Sequence, residues 1–347
     1  MKILLAYPNR ELDNPFVKTL YTGLLALGCE IIMDLDEFWG NYAKYDIIHI
    51  NWPQSLFVSW NPTNVEVLFL ERIIKEIKEK SIKIVYTRHN EIPHYSTSGL
   101  KLRCYQIIEQ NADAIVHLGD YGVEVLRKII NCKHYIVPHH IYDKNYTNSL
   151  TKREARSKLG ISNKKYVILT FGAFRDKEEV DLVLSAYTQI KIKNKYLLAP
   201  RIGITLGLIK TIQNFIMRTI QKLSNKTKME FDKFVSDSDL PVYFSAADVV
   251  LIQRNKILNS GNLPMAFFFK KLVIGPNIGN VGIILKKTNN IVFEPSNKNS
   301  LIRALERSFH YINNEIGESN YSFATNYWNT DIIAHKYLEI YRELHDS

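Results

Sequence analysis

Short apolar runs alternate with longer amphipathic stretches along most of the chain, and this alternation limits the possible folds more than any other feature. The runs Lys2–Tyr7, Glu30–Met33, Asp46–Ile50, Ile82–Thr87, Ala114–His117 and His134–Val137 read as strands. Helical patterns near Pro15–Leu27, Val65–Glu79, Leu100–Gln110 and Gly122–Ile130 separate them. Strands spaced by helices require a parallel sheet covered on both faces. A polar stretch from Tyr142 to Arg153 interrupts the pattern and reads as a linker. The alternation then resumes with Tyr166–Phe171, a helix from about Lys177 to Lys191, and strands at Tyr196–Leu198, Val249–Ile252, Leu272–Ile274 and Ile291–Phe293. The chain is therefore expected to be α/β, with two doubly wound parallel-sheet (Rossmann-like) domains over 1–145 and 146–327. A last helical pattern, Thr330 to Leu344 within 328–347, is placed to return to the first domain.

A length of 347 residues suits two domains of ordinary size, and a hydrophobic fraction of 46% supplies ample core. Cys29, Cys104 and Cys132 are odd in number and lack metal-ligand spacing, which favours a reducing, cytoplasmic setting over a disulfide framework. The opening MKILLAYPNRE breaks at Pro8, too soon for a signal-peptide core, and reads as a first buried strand. No apolar segment reaches the roughly 18 residues of a membrane span. The net charge of +10 favours an anionic partner. Nucleic acid ranks last, because the basic residues are dispersed rather than interleaved with aromatics in one motif.

Residues 242–275 carry the clearest local signal. Ala246, Ala247 and Asp248 lead into the strand Val249–Ile252, and a loop ends at Asn259, Ser260 and Gly261 before a helix carrying Met265 to Phe269. Such a turn presents backbone N–H groups at a helix start, which suits phosphate or sugar hydroxyls, and Asn259 or Ser260 could equally be a plain helix cap. Arg175 stands just after the Val167–Phe171 strand and its Gly172 turn, where a guanidinium can grip phosphate oxygens in a fork.

Three segments of the second half, FGAFRDKEEVDLVLSAY, SDSDLPVYFSAADVVLI and NSGNLPMAFFFKKLVIGPNIGN, resemble landmarks of the GT-B glycosyltransferases, particularly their retaining branch (group 1, family 4-like). INWP, TRHNEIPH, VPHHIY and the terminal YWNTDIIAHKYLEIYREL are similar to further landmarks in the same order, so the resemblance spans nearly the whole chain. It implies two domains facing each other across a cleft, the first on the acceptor side and the second binding a nucleoside-diphosphate sugar. It also implies hexosyl transfer with retention, from a UDP- or GDP-linked donor to a glycan or lipid-linked glycan, in bacterial surface polysaccharide synthesis. No obligatory cofactor is implied. The absence of His-x3-His, Cys-rich or Asp-x-Asp spacing in a suitable context points to no metal.

The resemblance also assigns residues. Arg175 becomes a donor-phosphate ligand that offsets the charge of the departing diphosphate, with Lys177 as a second, although Glu178 stands where the family has a lysine. Asn259, Ser260 and Gly261 fall in the donor loop. With Pro264 matched to the family's proline, Asn259 and Phe267 occupy the two acidic positions of a Glu-x7-Glu pattern that this chain lacks. His89 matches a histidine near the anomeric carbon, and Asn51, Asn90 and His139 are acceptor-side candidates at predicted strand ends. Asn14, Pro15 and Phe16 stand where the family has a glycine-rich loop, and no Gly-x-Gly occurs there.

Leu208, Ile209, Ile212, Phe215, Ile216, Ile220 and Leu223 recur at helical spacing among Lys210, Arg218, Lys222, Lys226 and Lys228. A core-facing helix is the simpler reading of 208–228, and peripheral contact with an anionic inner-membrane face is the other. Two functional alternatives stand beside a transferase. One is a nucleotide-sugar epimerase or hydrolase, which would need a carboxylate pair. The other is a non-catalytic subunit of the same fold that binds a partner transferase.

Overall fold

A computed structural model describes residues 1–8, 14–91, 99–202, 227–229, 235–311 and 315–347. The chain divides into two compact units, Met1–Asn145 with Tyr327–Ser347, and Tyr146–Asn326.

The first unit runs β1 (Lys2–Leu5), α1 (Pro15–Ala26), β2 (Glu30–Met33), α2 (Leu35–Gly40), β3 (Ile47–Ile50), α3 (Asn64–Glu79), β4 (Lys83–Arg88), α4 (Gly99–Asn111), β5 (Ala114–His117), α5 (Val123–Arg127) and β6 (Lys133–Ile136). Its sheet has the order β2-β1-β3-β4-β5-β6, with every pairing parallel. β3 and β5 are buried along their whole length, as expected where helices cover both faces. One face packs Leu70, Ile73, Ile74 and Ile77 of α3 and Ile107 and Ile108 of α4 against Ile48, Ile84 and Ile115. α3 starts at a capping box in which Thr63 and Glu66 satisfy each other's backbone N–H groups.

The C-terminal helix, Thr330–His345, covers the other face with α1. At Gly23 of α1 a β-carbon would lie 3.0 Å from Thr330 Cγ2 and 3.1 Å from Ala334 Cβ, so a side chain there would require the facing helix to give by a few tenths of an ångström. His49 ties this helix to the sheet. Its Nδ1 lies 2.7 Å from Tyr341 Oη, its Nε2 lies 2.8 Å from Thr87 Oγ1, and Thr87 Oγ1 lies 2.9 Å from Tyr337 Oη. All four side chains are fully buried, so the network is satisfied only while the helix is docked.

The second unit runs α6 (Lys152–Leu159), β7 (Tyr166–Leu169), α7 (Lys177–Gln189), β8 (Lys195–Ala199), β9 (Thr227–Met229), α8 (Leu240–Ala246), β10 (Val249–Leu251), α9 (Asn262–Phe268), β11 (Leu272–Pro276), α10 (Gly279–Lys287), β12 (Ile291–Phe293), α11 (Lys298–Phe309) and α12 (Ile316–Tyr327). Its parallel sheet has the order β12-β11-β10-β7-β8-β9. Ile168, Leu197, Leu251, Ile274 and Phe293 from its strands meet Val183, Ala186, Leu301 and Leu305 from its helices in one core.

Three local expectations need correction. The polar stretch read as a linker ends in α6, because Thr151 and Glu154 form a second capping box that starts the helix at Lys152. The pattern over Gly122–Ile130 yields only the short helix Val123–Arg127. Lys228, assigned to a basic helix, lies in β9 beside β8, while 208–226 falls outside the described residues.

Four histidines of the first unit set its response to acid. Burial pushes His49, His117 and His139 down to about 3 and His140 down to about 4. Unfolded histidine titrates near 6.5, so the unfolded chain binds more protons between about pH 6.5 and 3. Stability is then complete above pH 6.5 and lost as the pH falls. Each fully depressed histidine should remove up to about 1.4 kcal/mol per pH unit in that window. Urea midpoints should drop steeply between pH 7.5 and 5, and His49→Gln should flatten the slope.

Candidate functional site

In a doubly wound sheet, ligands collect at the carboxyl ends of the strands where the order reverses. The reversal falls between β1 and β3 in the first unit and between β7 and β10 in the second.

In the second unit, the turn after β7 and the loop after β10 are held to each other by side chains. The carbonyl of Phe171 accepts from Asn262 Nδ2, that of Gly172 from Gln253 Nε2 at 3.4 Å, and that of Ala173 from Arg254 Nη2 at 2.8 Å. Gly172 has φ 101°, a left-handed conformation that favours glycine. Arg254 also pairs with Glu179 at 2.5 Å. The same Glu179 oxygen accepts from the backbone N–H of Arg175 at 2.8 Å. Burial pushes the Glu179 carboxyl up, and the Arg254 guanidinium opposes that shift. The pair is buried, with 13% and 2% side-chain exposure, so it braces the turn rather than decorating the surface.

Arg175 sits on this braced turn, half-buried, with Nη1 donating to Lys256 O at 2.8 Å. The donor-loop candidates lie along the same loop. Asn259 Oδ1 accepts from Asn280 Nδ2 at 2.8 Å, and Asn280 N donates to Leu258 O at 2.9 Å, which joins the start of α10 to the loop. Gly279, with φ 60°, allows that approach, since a β-carbon there would lie 2.3 Å from Ile257 O. Gly261 is the N-cap of α9 and has no side-chain cap, so neither Asn259 nor Ser260 caps this helix. Lys177 lies apart from the group. It opens α7, is 64% exposed, and pairs with Asp181 one turn on. Phe267 is fully buried.

In the first unit, His89, Asn90, Asn51 and His139 gather beside the reversal. His89 Nε2 donates to Asn51 Oδ1 at 3.0 Å, and its ring stacks on Trp52 with centroids 3.9 Å apart. Phe16 of α1 meets His89 at 4.6 Å and His139 at 4.8 Å, edge to face. His139 Nδ1 donates to His140 O at 2.7 Å, leaving Nε2 to accept from Tyr142 Oη at 3.4 Å. His140 Nε2 donates to Phe16 O at 3.0 Å and so anchors the start of α1. Asn14 caps that helix by accepting from Phe16 N at 3.0 Å. The two histidines present neutral rings, because burial disfavours their charged forms. Among the described residues no group of three His, Cys, Asp or Glu side chains is placed to hold a metal ion, and no helix is long and apolar enough to cross a membrane.

Sequence reasoning missed Gln253, Arg254, Asn262, Glu179 and Asn280. Arg254 was within reach, because it follows β10 as Arg175 follows β7, and the strand-end argument applies to both. The buried role of Glu179 had no local signal beside two other acidic residues, Asp176 and Glu178.

Two doubly wound units with loops of this kind at the strand ends correspond to the GT-B fold, and the comparisons agree on that fold. Residues 151–314 match the family model described as glycosyl transferases group 1. The chain has the GT-B fold, and its residues 151–314, most of the second unit, are similar to glycosyl transferases group 1. Sucrose-phosphate synthase from Thermosynechococcus elongatus superposes with TM-score 0.76 at 15% identity, covering 99% of each chain. HepE from Anabaena, in complex with UDP-glucose, gives TM-score 0.74 at 13% identity over 99% of this chain and all of that one. A glycosyltransferase from Rickettsia africae gives 0.71 at 17% identity over 99% of this chain and 98% of that one. No curated protein sequence matches the chain.

Removing one partner of the brace strands a buried charge. Arg254→Ala should cost about 3–5 kcal/mol. Glu179→Gln with Arg254→Met should cost less than the sum of the single changes, with a coupling of about 1–3 kcal/mol. Urea melts of the four proteins measure this, and strict additivity would contradict the brace.

Proposed function

We propose that the chain transfers a hexosyl unit from a nucleoside-diphosphate sugar, with UDP the favoured carrier, to a glycan or lipid-linked glycan with retention of configuration. The second unit is the donor side and the first unit the acceptor side. The observation that supports the reading is the braced turn at the β7/β10 reversal, which holds Arg175 near the carboxyl end of β7, a position suited to a diphosphate. Breaking the glycosidic bond to the nucleotide leaves a diphosphate whose charge grows toward the transition state, and a preorganised guanidinium stabilises it without reorganisation. His89, fixed by Asn51 and Trp52, is suited to orienting a hydroxyl or stabilising charge at the sugar carbon. HepE in complex with UDP-glucose supports a UDP-linked donor. A role in bacterial surface glycan synthesis, at or near the cytoplasmic face of the membrane, fits a glycan acceptor of this kind.

A second reading is kept by specific observations. Glu178 replaces the expected lysine, Lys177 is engaged with Asp181, and the two acidic donor positions hold Asn259 and a buried Phe267. A non-catalytic subunit of this fold would tolerate all four. Thermal shift against UDP-, GDP-, dTDP- and ADP-linked sugars separates the readings. A true donor at about 100-fold over its Kd should add about 2.7 kcal/mol of stability. Arg175→Ala should retain the fold and lose about 10- to 100-fold in kcat/KM. No shift with any nucleotide would favour the partner-binding subunit.

A further inference from the structure

The amino ends of β7 and β8 lie at the other end of the strands from the Arg175 turn, and two short loops meet there. Tyr166 N donates to Asn194 O at 2.9 Å, which joins the loop 162–165 before β7 to the loop 191–194 before β8. The C-terminal end of α11 closes on both. Lys191 N donates to Glu306 Oε1 at 3.0 Å, Tyr166 Oη and Ser308 Oγ lie 2.7 Å apart, and the rings of Tyr166 and Phe309 meet edge to face with centroids 5.2 Å apart.

These contacts bring Lys164, Lys165, Lys191, Lys193 and Arg307 to one end of the second unit. Lys165 is half-buried and the other four are exposed. Among the described residues none of the five side chains is in an ion pair. The Glu306 carboxylate accepts from a backbone N–H of the group rather than from an amine. Lys195, by contrast, turns inward and donates to the carbonyls of Tyr187 and Ile190 at 2.7 and 2.8 Å. Phe309 is 37% exposed beside Tyr166, next in sequence to Lys165.

Like charges gathered without counter-charges repel one another, so stability does not explain their placement, and they call for an anionic partner. Protein interfaces are enriched in aromatic residues and Arg and depleted in Lys, whereas four of these five cations are lysines. A single nucleic-acid strand stacks its bases on successive open rings. Here Phe309 packs edge to face with Tyr166 and His310, and Arg307 lies over Tyr311 at 5.4 Å. A bilayer with anionic headgroups fits better. Long lysine stems let the amines reach lipid phosphates while an exposed phenyl ring meets the acyl boundary.

We infer that this end of the second unit docks on an anionic lipid bilayer, through Lys164, Lys165, Lys191 and Lys193 with Phe309 as the apolar contact. The surface is remote along the strands from Arg175, so the inference does not rest on the transferase reading.

The test is co-sedimentation of the full chain with vesicles of phosphatidylcholine alone or with about 30 mol% phosphatidylglycerol, with UDP affinity measured separately by calorimetry. The anionic vesicles should bind the chain at least about tenfold more tightly than the neutral ones, and salt at about 0.5 M should release it. Lys164→Ala with Lys193→Ala should weaken binding about 25-fold, or about fivefold per lysine, while leaving Tm and UDP affinity unchanged. Lys164→Arg with Lys193→Arg should stay within about twofold of the parent, as should the distant pair Lys18→Ala with Lys80→Ala. Equal binding to neutral vesicles, an unaffected alanine pair, or the same loss in the distant pair would each overturn the inference. So would tighter binding by this end of the unit to polyglutamate or to a single-stranded oligonucleotide than to the anionic vesicles. Vesicle binding without UDP binding supports the docking surface and removes the donor reading, and the reverse result leaves only the donor side standing.

Discussion

Three consecutive carbonyls in the turn after β7 must find donors, and the loop after β10 supplies all three from Asn262, Gln253 and Arg254. Buried or half-buried carbonyls at the end of a parallel strand are otherwise costly, because the sheet ladder has stopped and helices limit access to water. Meeting them with side chains fixes the turn, turns its carbonyl side toward β10 and anchors Arg175 through Glu179. The Arg254–Glu179 pair contributes placement more than net stability, since a buried ion pair does little better than apolar replacements while its breaking costs several kcal/mol.

The first unit is built on a different compromise. Its sheet is closed on one face by a helix that belongs to the end of the chain, and a polar network of Tyr341, His49, Thr87 and Tyr337 sets the position of that helix in an otherwise apolar layer. At the carboxyl ends of the strands His89 donates to Asn51 and stacks on Trp52.

Much of this was legible in the sequence, for identifiable reasons. Strand–helix alternation gave two parallel sheets because period-2 and period-3.6 patterns are local, and β3, β4, β5 and β10 emerged close to their expected bounds. The helix α6 was hidden inside a polar run, although its Thr151–Glu154 capping box was readable. Strand β9 has three residues and little pattern to find. Strand-end placement put His89 beside Asn51 in the first unit and, separately, Arg175 on the turn after β7 in the second. It did not separate Lys177, which turns along its own helix to Asp181, from residues that stay with the turn. Glu179, Asn262 and Asn280 act through contacts 75, 91 and 21 residues distant in sequence, which no local pattern encodes.

The central claim is that the braced turn holds the diphosphate of a nucleotide sugar. Hydrogen exchange of the backbone amides with and without UDP tests it directly. The account predicts slowed exchange confined to 171–176 and 257–263 when UDP is present, and loss of that protection in Arg254→Met. Unchanged exchange in both segments, or protection appearing elsewhere in the chain instead, would contradict it.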